Sequence, residues 1–470
     1  MSGKRIVIIG AGPGGYIAAI RAAVLNGKVT LIEKHHLGGT CLNYGCIPSK
    51  IMKTSADIFL KIIKAKIFGI NINGSIDFDM KALMAKKEKI LDVQKKGIAT
   101  LLKSHNINVE KGRAFIKPNK IVEIISDDNT KKELEYDKLI IATGTKPLNI
   151  KAFEFNHKTI LSSDDLLQLD HVPKSIVIVG GGVIGCEFAF ILSALGSDVT
   201  IVEAMSRLLP LVSIDKECSR LLLREAKKRK IKVICDAIVK SADIDNNGVS
   251  INLDMSSFTD NLEPKKLRSN IIKADKIAVC IGRSAMTSNL GVENIGLKIN
   301  SQGWIQANES METNIKGVFA IGDILGPDKS MLAHVASHEG IIAAQNAMGM
   351  QSKMDYSVIP SAIFTMPEIG AVGLSEEQAR EHDIKSFKVN FRVLGKAFAI
   401  DEIEGFAKMI IEKKTNRILG VHIIGAHATD LIAQATLAIK KGLTPKDIAD
   451  TIHAHPTLSE IMAEVSKATY

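Results

Sequence analysis

"RIVIIGAGPGGYIAAIRAAVLNGKVTLIEK", Arg5 to Lys34, strings together an apolar run, a glycine cluster, a helix-like run and a second apolar run. A strand, a glycine turn and a helix in that order aim backbone N–H groups and the positive end of the helix at a pyrophosphate. Gly10, Gly12 and Gly15 form the turn, and Glu33 ends the second strand about where a carboxylate meets a ribose hydroxyl.

One such motif is weak, because glycines gather in turns anyway. The same grammar returns in "SIVIVGGGVIGCEFAFILSALGSDVTIVEA", Ser175 to Ala204, with Gly180, Gly182 and Gly185 in the turn and Glu203 at the strand end. Gly10 to Glu33 is 23 positions, and so is Gly180 to Glu203. Two complete units predict an α/β chain with two Rossmann-like dinucleotide-binding domains. A carboxylate at the strand end accepts a ribose 2′-hydroxyl and repels a 2′-phosphate, so Glu203 favours NAD over NADP, although Arg207 follows four residues later.

Further along, "LIIATGTKP" and "GVFAIGD" are short strands ending in glycine turns, at Thr143, Gly144 and Asp323. Strand and helix alternation is expected to about residue 150 and again to about 275. After about residue 348 the pattern turns strand-rich, in "SAIFTMPEIGAVGLS" and "FAKMIIEKKTNRILGVHIIG", and two helices follow. A separate C-terminal α+β domain is expected there.

The 470 residues suffice for about three cores. A hydrophobic share of 46% and a charged share of 24% place the chain among globular proteins. Lys and Arg exceed Asp and Glu by ten, which attracts anions. Aromatics are only 4%, too few for single-strand stacking, and "REAKKRKIKV" reads as a charged helix end entering a strand, so nucleic acid is not expected as a partner. The apolar stretch from Ser175 approaches membrane-span length, but its glycines and Glu187 oppose that reading. "MSGKRIVIIG" passes directly into a strand pattern, from which a cytoplasmic location is expected.

Cys186, Cys218, Cys235 and Cys280 stand singly and read as small core residues. Cys41 and Cys46 share the loop "GGTCLNYGCIPSK". A zinc site needs about four ligands and no second cluster supplies them, so no metal is expected. Closing so short a loop stabilises little, which leaves a reactive disulfide. Pro48 suits a first helical turn and puts Cys46 near a helix N-terminus, where thiol pKa values fall. In one regular helix the two Cα atoms would lie roughly 8–9 Å apart, beyond bridging distance, so the chain must bend, and Gly45 is the place.

"GGTCLNYGCIPSK" resembles the redox segment of the pyridine nucleotide–disulfide oxidoreductases. "ATGTKP", "GGGVIGCEFA", "GVFAIGD", "MLAHVASHEG" and "HAHPTLSE" occur in that family's order across the whole chain. The resemblance implies FAD on the first glycine unit, with Thr143, Gly144 and Asp323 in contact, and NAD on the second, with Gly282. It makes Cys41 the thiol that meets substrate and Cys46 the thiol facing the flavin, with Lys50 and Glu187 paired near it. That pairing would account for Glu187, a charge inside the apolar helix "VIGCEFAFILSAL". His455 becomes the base and Glu460 its orienting carboxylate, although Thr457 to Glu460 also fits a capping box.

The resemblance is nearest to the lipoamide-oxidising members. It implies oxidation of dihydrolipoyl groups with reduction of NAD+, in a homodimer that serves the core and peripheral subunits of 2-oxoacid dehydrogenase complexes. Glutathione-type relatives usually carry a second Lys where Ser49 stands, and mercuric-type ones a C-terminal cysteine pair that "VSKATY" lacks. "IGRSAMTSNL" departs from the family's usual Pro-Asn after the "GR" turn. A mainly structural docking role is the remaining alternative. The expected divisions are 1–147 for FAD, 148–275 for NAD, 276–347 completing the FAD domain, and 348–470 for the interface.

Overall fold

The computed structural model describes residues 3–245, 248–259 and 270–470. The chain forms two compact units, each drawn from three stretches. The first comprises Met1–Ile51, Lys81–Leu148 and Gly282–Tyr356, and the second Met52–Met80, Asn149–Ile281 and Ser357–Tyr470.

In the first unit, five parallel strands run in the order Val318–Ala320, Lys138–Ile141, Arg5–Ile9, Lys28–Glu33, Asn108–Lys111. The central strand is flanked on both sides, so Ile6, Ile8, Leu31 and Ile140 are fully buried, as the continuous apolar runs of a parallel sheet require. Helix Pro13–Val24 follows the first strand at once. Gly10 turns the chain at φ +101°, and a Cβ on Gly15 would stand 1.8 Å from the Gly10 carbonyl, so both positions require glycine.

The second unit repeats this arrangement in the order Lys232–Ile234, Asp198–Val202, Ser175–Val179, Lys276–Val279, Ile160–Ser162. Gly180 turns at φ +105°, and a Cβ on Gly185 would lie 1.9 Å from the Gly180 carbonyl. Helix Val183–Ala194 has the same 12 residues as its counterpart. The basic run bridges helix Lys216–Lys228 and strand Lys232–Ile234.

The expected strand and helix alternation fails in two places. Arg113–Lys117, Ile121–Ile125 and Lys131–Glu135 form an antiparallel meander, as do Ala237–Asp245, Gly248–Met255 and Ile271–Ala274. A link as short as Pro118–Lys120 permits a hairpin, whereas a parallel crossover needs a dozen residues or more; Asn119 and Lys120 both adopt positive φ to make it.

The C-terminal sheet is antiparallel, ordered Ser361–Ile363, Glu368–Gly373, Ile418–Gly425, Phe406–Glu412, Ile384–Asn390. The two expected helices are Ala428–Lys440 and Glu460–Lys467, and two further short helices, Gly395–Ala399 and Pro445–Ala449, accompany them. Met409, Val421, Ile423, Ile432, Ile461 and Val465 share one core, each such side chain contributing about 1.5–3 kcal/mol. Lys408 departs from this apolar pattern: it is 2% exposed, and its Nζ meets Asp215 at 3.1 Å, Glu217 at 2.9 Å, and Glu376. Asp215 also caps helix Lys216–Lys228 through the Glu217 N–H. Among the described residues no helix is long and apolar enough to cross a membrane.

Candidate active site

The cysteine segment bends where expected. Helix Gly39–Tyr44 stops at Gly45, whose φ of −152° and ψ of −109° leave the helical region, and Cys46 opens helix Cys46–Ile63. The break brings Cys41 and Cys46 into hydrogen-bonding contact. That bond and burial push the Cys41 thiol well above its ordinary value, against the pull of the Lys50 ammonium. Cys46 stands at the helix N-terminus, a position that favours a thiolate. Asn43 is buried and donates to the carbonyls of Leu37 and Gly39, and the Gly38 N–H reaches the Ala11 carbonyl at 2.9 Å. The redox segment is thus tied to the first glycine loop. Tyr16, which sequence reasoning missed, is partly buried close to Cys41, and burial first of all raises its phenol.

Both glycine loops have the same acid geometry. Glu33 accepts the N–H groups of Ala11 and His35, each at 2.8 Å. Glu203, 5% exposed, accepts those of Gly181 and Met205. The helices beyond begin at Gly12 and Gly182, neither of which has a side-chain cap, so their first-turn N–H groups remain available to an anion. Open space faces Gly144, Gly182 and Gly282, and Thr143 Oγ1 is buried without a hydrogen-bond partner. These features fit a dinucleotide cofactor at each loop. Gly282 falls in the first unit, whereas Gly180 to Glu203 fall in the second. Arg207 donates to the carbonyls of Leu211 and Ile214 and to Ser219 Oγ, which spends its guanidinium on its own chain.

Asp323 accepts from Thr145 Oγ1 at 3.1 Å, and Arg283 reaches the same hydroxyl at 2.7 Å and the Thr145 carbonyl at 3.1 Å. Burial raises the Asp323 carboxyl, while the Arg283 charge and the Thr145 bond hold it back. Arg283–Ala285 pairs with Thr145–Pro147, so the divergent stretch after Arg283 leaves this turn regular.

Lys50 Nζ lies 3.4 Å from Ser49 Oγ in the first unit. Glu187 belongs to the second, is 6% exposed, and accepts the Phe364 N–H at 3.0 Å, which excludes a solvent-facing role for it. Further along the cysteine-bearing helix, Lys53 bridges Asp57 and Glu368, each at 2.8 Å, a link nothing in the motif announced. Of the single cysteines, Cys186 and Cys218 are core residues as expected, but Cys235 and Cys280 are only half-buried.

His455 Nδ1 stands 2.9 Å from Glu460 Oε1. Glu460 Oε2 takes the Thr457 N–H, while the Thr457 hydroxyl turns to the Ala454 carbonyl and Ser459 Oγ, so only half of the capping box forms. His455, then Thr457, hold the Glu460 carboxyl below the usual range. Neighbouring His453 is tied to the Thr451 carbonyl and Gln434.

Residues 4–340 match the pyridine nucleotide-disulphide oxidoreductase family, and residues 359–466 match its dimerisation domain. The chain belongs to this family, flavoenzymes that use FAD and NAD(H). It is 41% identical to the dihydrolipoyl dehydrogenase of Chlamydia muridarum over 97% of this chain and 95% of that one. It is 36% identical to the Geobacillus stearothermophilus dihydrolipoyl dehydrogenase over 98% and 95%. Among solved structures, LpdA from Mycobacterium tuberculosis superposes with a TM-score of 0.91 at 25% identity, over 99% of this chain and 100% of that one.

Proposed function

We propose that this enzyme oxidises the dihydrolipoyl groups of 2-oxoacid dehydrogenase complexes to lipoyl disulfides and reduces NAD+ to NADH. The contact between Cys41 and Cys46 across the Gly45 break, beside the first glycine loop, carries the reading. The near full-length likeness to dihydrolipoyl dehydrogenases supports the substrate.

His455 takes the proton from a substrate thiol through Nε2, because Nδ1–H is committed to the acceptor-only Glu460 carboxylate. The substrate thiolate attacks Cys41 Sγ, the Cys41–Cys46 bond breaks, and Cys46 leaves as a thiolate. The second substrate thiol displaces Cys41 and gives its proton to the departing Cys41 sulfur, which closes the lipoyl disulfide and leaves both electrons on the cysteine pair as one thiol and one thiolate, with the first proton on His455. The chemistry that bound FAD would supply is the two-electron relay from this pair to NAD+, which takes the electrons up as hydride. Gly10 to Gly15, Glu33, Thr143, Gly144 and Asp323 hold FAD, and Gly180 to Gly185 with Glu203 hold the nicotinamide nucleotide. Lys50 keeps positive charge beside the cysteine pair.

The reading includes a homodimer built on residues 348–470, in which His455 of one protomer serves the cysteine pair of its partner. The 75% exposure of the His455 side chain supports this. Residues 1–147 and 276–347 form the FAD domain and 148–275 the NAD domain in this scheme. Reactive thiols suit a reducing compartment, here the cytoplasm.

The test is anaerobic titration of the flavin-loaded protein with dihydrolipoamide, followed by NAD+. A long-wavelength thiolate-to-flavin band and then NADH establish relay and substrate together. A band seen only with NADPH or another dithiol keeps the relay and moves the substrate to a relative; no band removes the relay.

A further inference from the structure

Glu339 is 1% exposed on helix Ala333–Ala347 and has no part in the chemistry above. Its two oxygens are separately committed: Oε2 accepts the Gly322 N–H at 2.6 Å and Oε1 accepts the Tyr356 hydroxyl at 2.6 Å. Gly322 leaves the strand at φ +74° and passes directly to Asp323. We propose that Glu339, held by Tyr356, is a positioning residue for the flavin: it fixes the Gly322 turn and so aims the Asp323 carboxylate. This rests on the reading that FAD occupies the first unit.

The turn is gripped from two sides. Thr145, itself held by Arg283, takes Asp323 Oδ2, and Glu339 takes the backbone one residue earlier. Asp323 Oδ1 is the oxygen left for a ligand. The choice of an acid at 339 has a cost. Burial raises the Glu339 carboxyl, and the Asp323 charge raises it further, while the Tyr356 and Gly322 bonds oppose both. A glutamine would accept one donor without that like-charge repulsion, so a mere structural bracket has no need of the second carboxylate. An ionised carboxylate accepts both donors strongly and in one plane, which sets the angle of the turn.

The experiment is a double-mutant cycle on FAD affinity, read by flavin fluorescence as apoprotein rebinds FAD. Glu339→Ala, Glu339→Gln and Tyr356→Phe are each measured with Asp323 intact and with Asp323→Asn. With Asp323 intact, Glu339→Ala weakens FAD about tenfold and the two milder variants about two- to fivefold; with Asp323→Asn these losses largely vanish, as expected of coupled neighbours. Equal losses in both backgrounds, or none in either, overturn the proposal. Should Glu339→Ala not fold, Tyr356→Phe completes the same cycle. Failure of the wild-type protein to bind FAD would instead remove the underlying functional reading.

Discussion

Glu460 answers His455 with one oxygen and the Thr457 N–H with the other, each at 2.9 Å. The division fixes what Glu460→Gln does. The amide oxygen stays on Thr457, the amide nitrogen faces His455 Nδ1, and the ring is driven to the tautomer with hydrogen on Nε2, where it cannot act as a base. Turnover with dihydrolipoamide falls roughly 10²- to 10⁴-fold, while flavin reduction by NADH is unchanged. Parallel steady-state and stopped-flow assays check this; equal losses in both would refute a base-orienting role.

The two cysteines are predicted to differ. Cys46 opens helix Cys46–Ile63, where the helix N-terminus favours a thiolate. Cys41→Ser therefore retains a long-wavelength thiolate-to-flavin band, whereas Cys46→Ser loses it, and both abolish lipoyl oxidation. Visible spectra of the two purified variants decide the matter.

Glu203 and Arg207 make nucleotide choice hard to reverse. Replacing Glu203 leaves the N–H groups of Gly181 and Met205 unanswered, at about 1–3 kcal/mol for each buried group. Arg207 is tied to Leu211, Ile214 and Ser219. Glu203→Ala is expected to raise KM for NAD about tenfold or more without creating useful activity with NADP. Efficient use of NADP by this single variant would show that Arg207 lets go of its loop.

The two glycine units were legible because each obeys a steric rule at fixed spacing: a turn at Gly10 or Gly180, and a close approach at Gly15 or Gly185. The Gly45 break followed from disulfide reach alone. Lys408 offered no such signal, since its partner Asp215 is 193 positions away and a lone Lys in an apolar strand resembles an edge residue. The meanders were missed for a related reason: short strands read alike whether a hairpin or a crossover joins them. Glu339 lay in a quoted motif, but its partners Gly322 and Tyr356 are set by tertiary packing.

Lys408 also governs the response to acid. Burial pushes the Asp215 carboxyl up, but the Glu217 N–H and Lys408 outweigh it and leave it below its ordinary value. Burial lowers His422 as well. Groups with depressed folded values stabilise above their unfolded pKa and lose that contribution as pH falls. Stability is therefore expected to decline first below about pH 6.5, as His422 must charge, and again below about pH 4, as Asp215 protonates. Lys408→Met should cost about 3–5 kcal/mol at pH 7 by stranding Asp215, toward the lower figure because Glu376 is partly exposed. Denaturant melts between pH 3 and 8 measure both effects, and a flat profile in the wild type would exclude them.

Each compact unit is threaded from three separate stretches, and the last stretch of the first unit ends at Tyr356. On a ribosome adding about 5–20 residues per second, that unit stays incomplete for roughly 20–70 s. For about half of this interval Lys138–Ile141 waits as an open edge for Val318–Ala320, and open apolar edges invite pairing with other chains. Half-made polypeptide, more than the finished enzyme, is thus the species most exposed to aggregation, and its yield in a cell depends on the pace of translation.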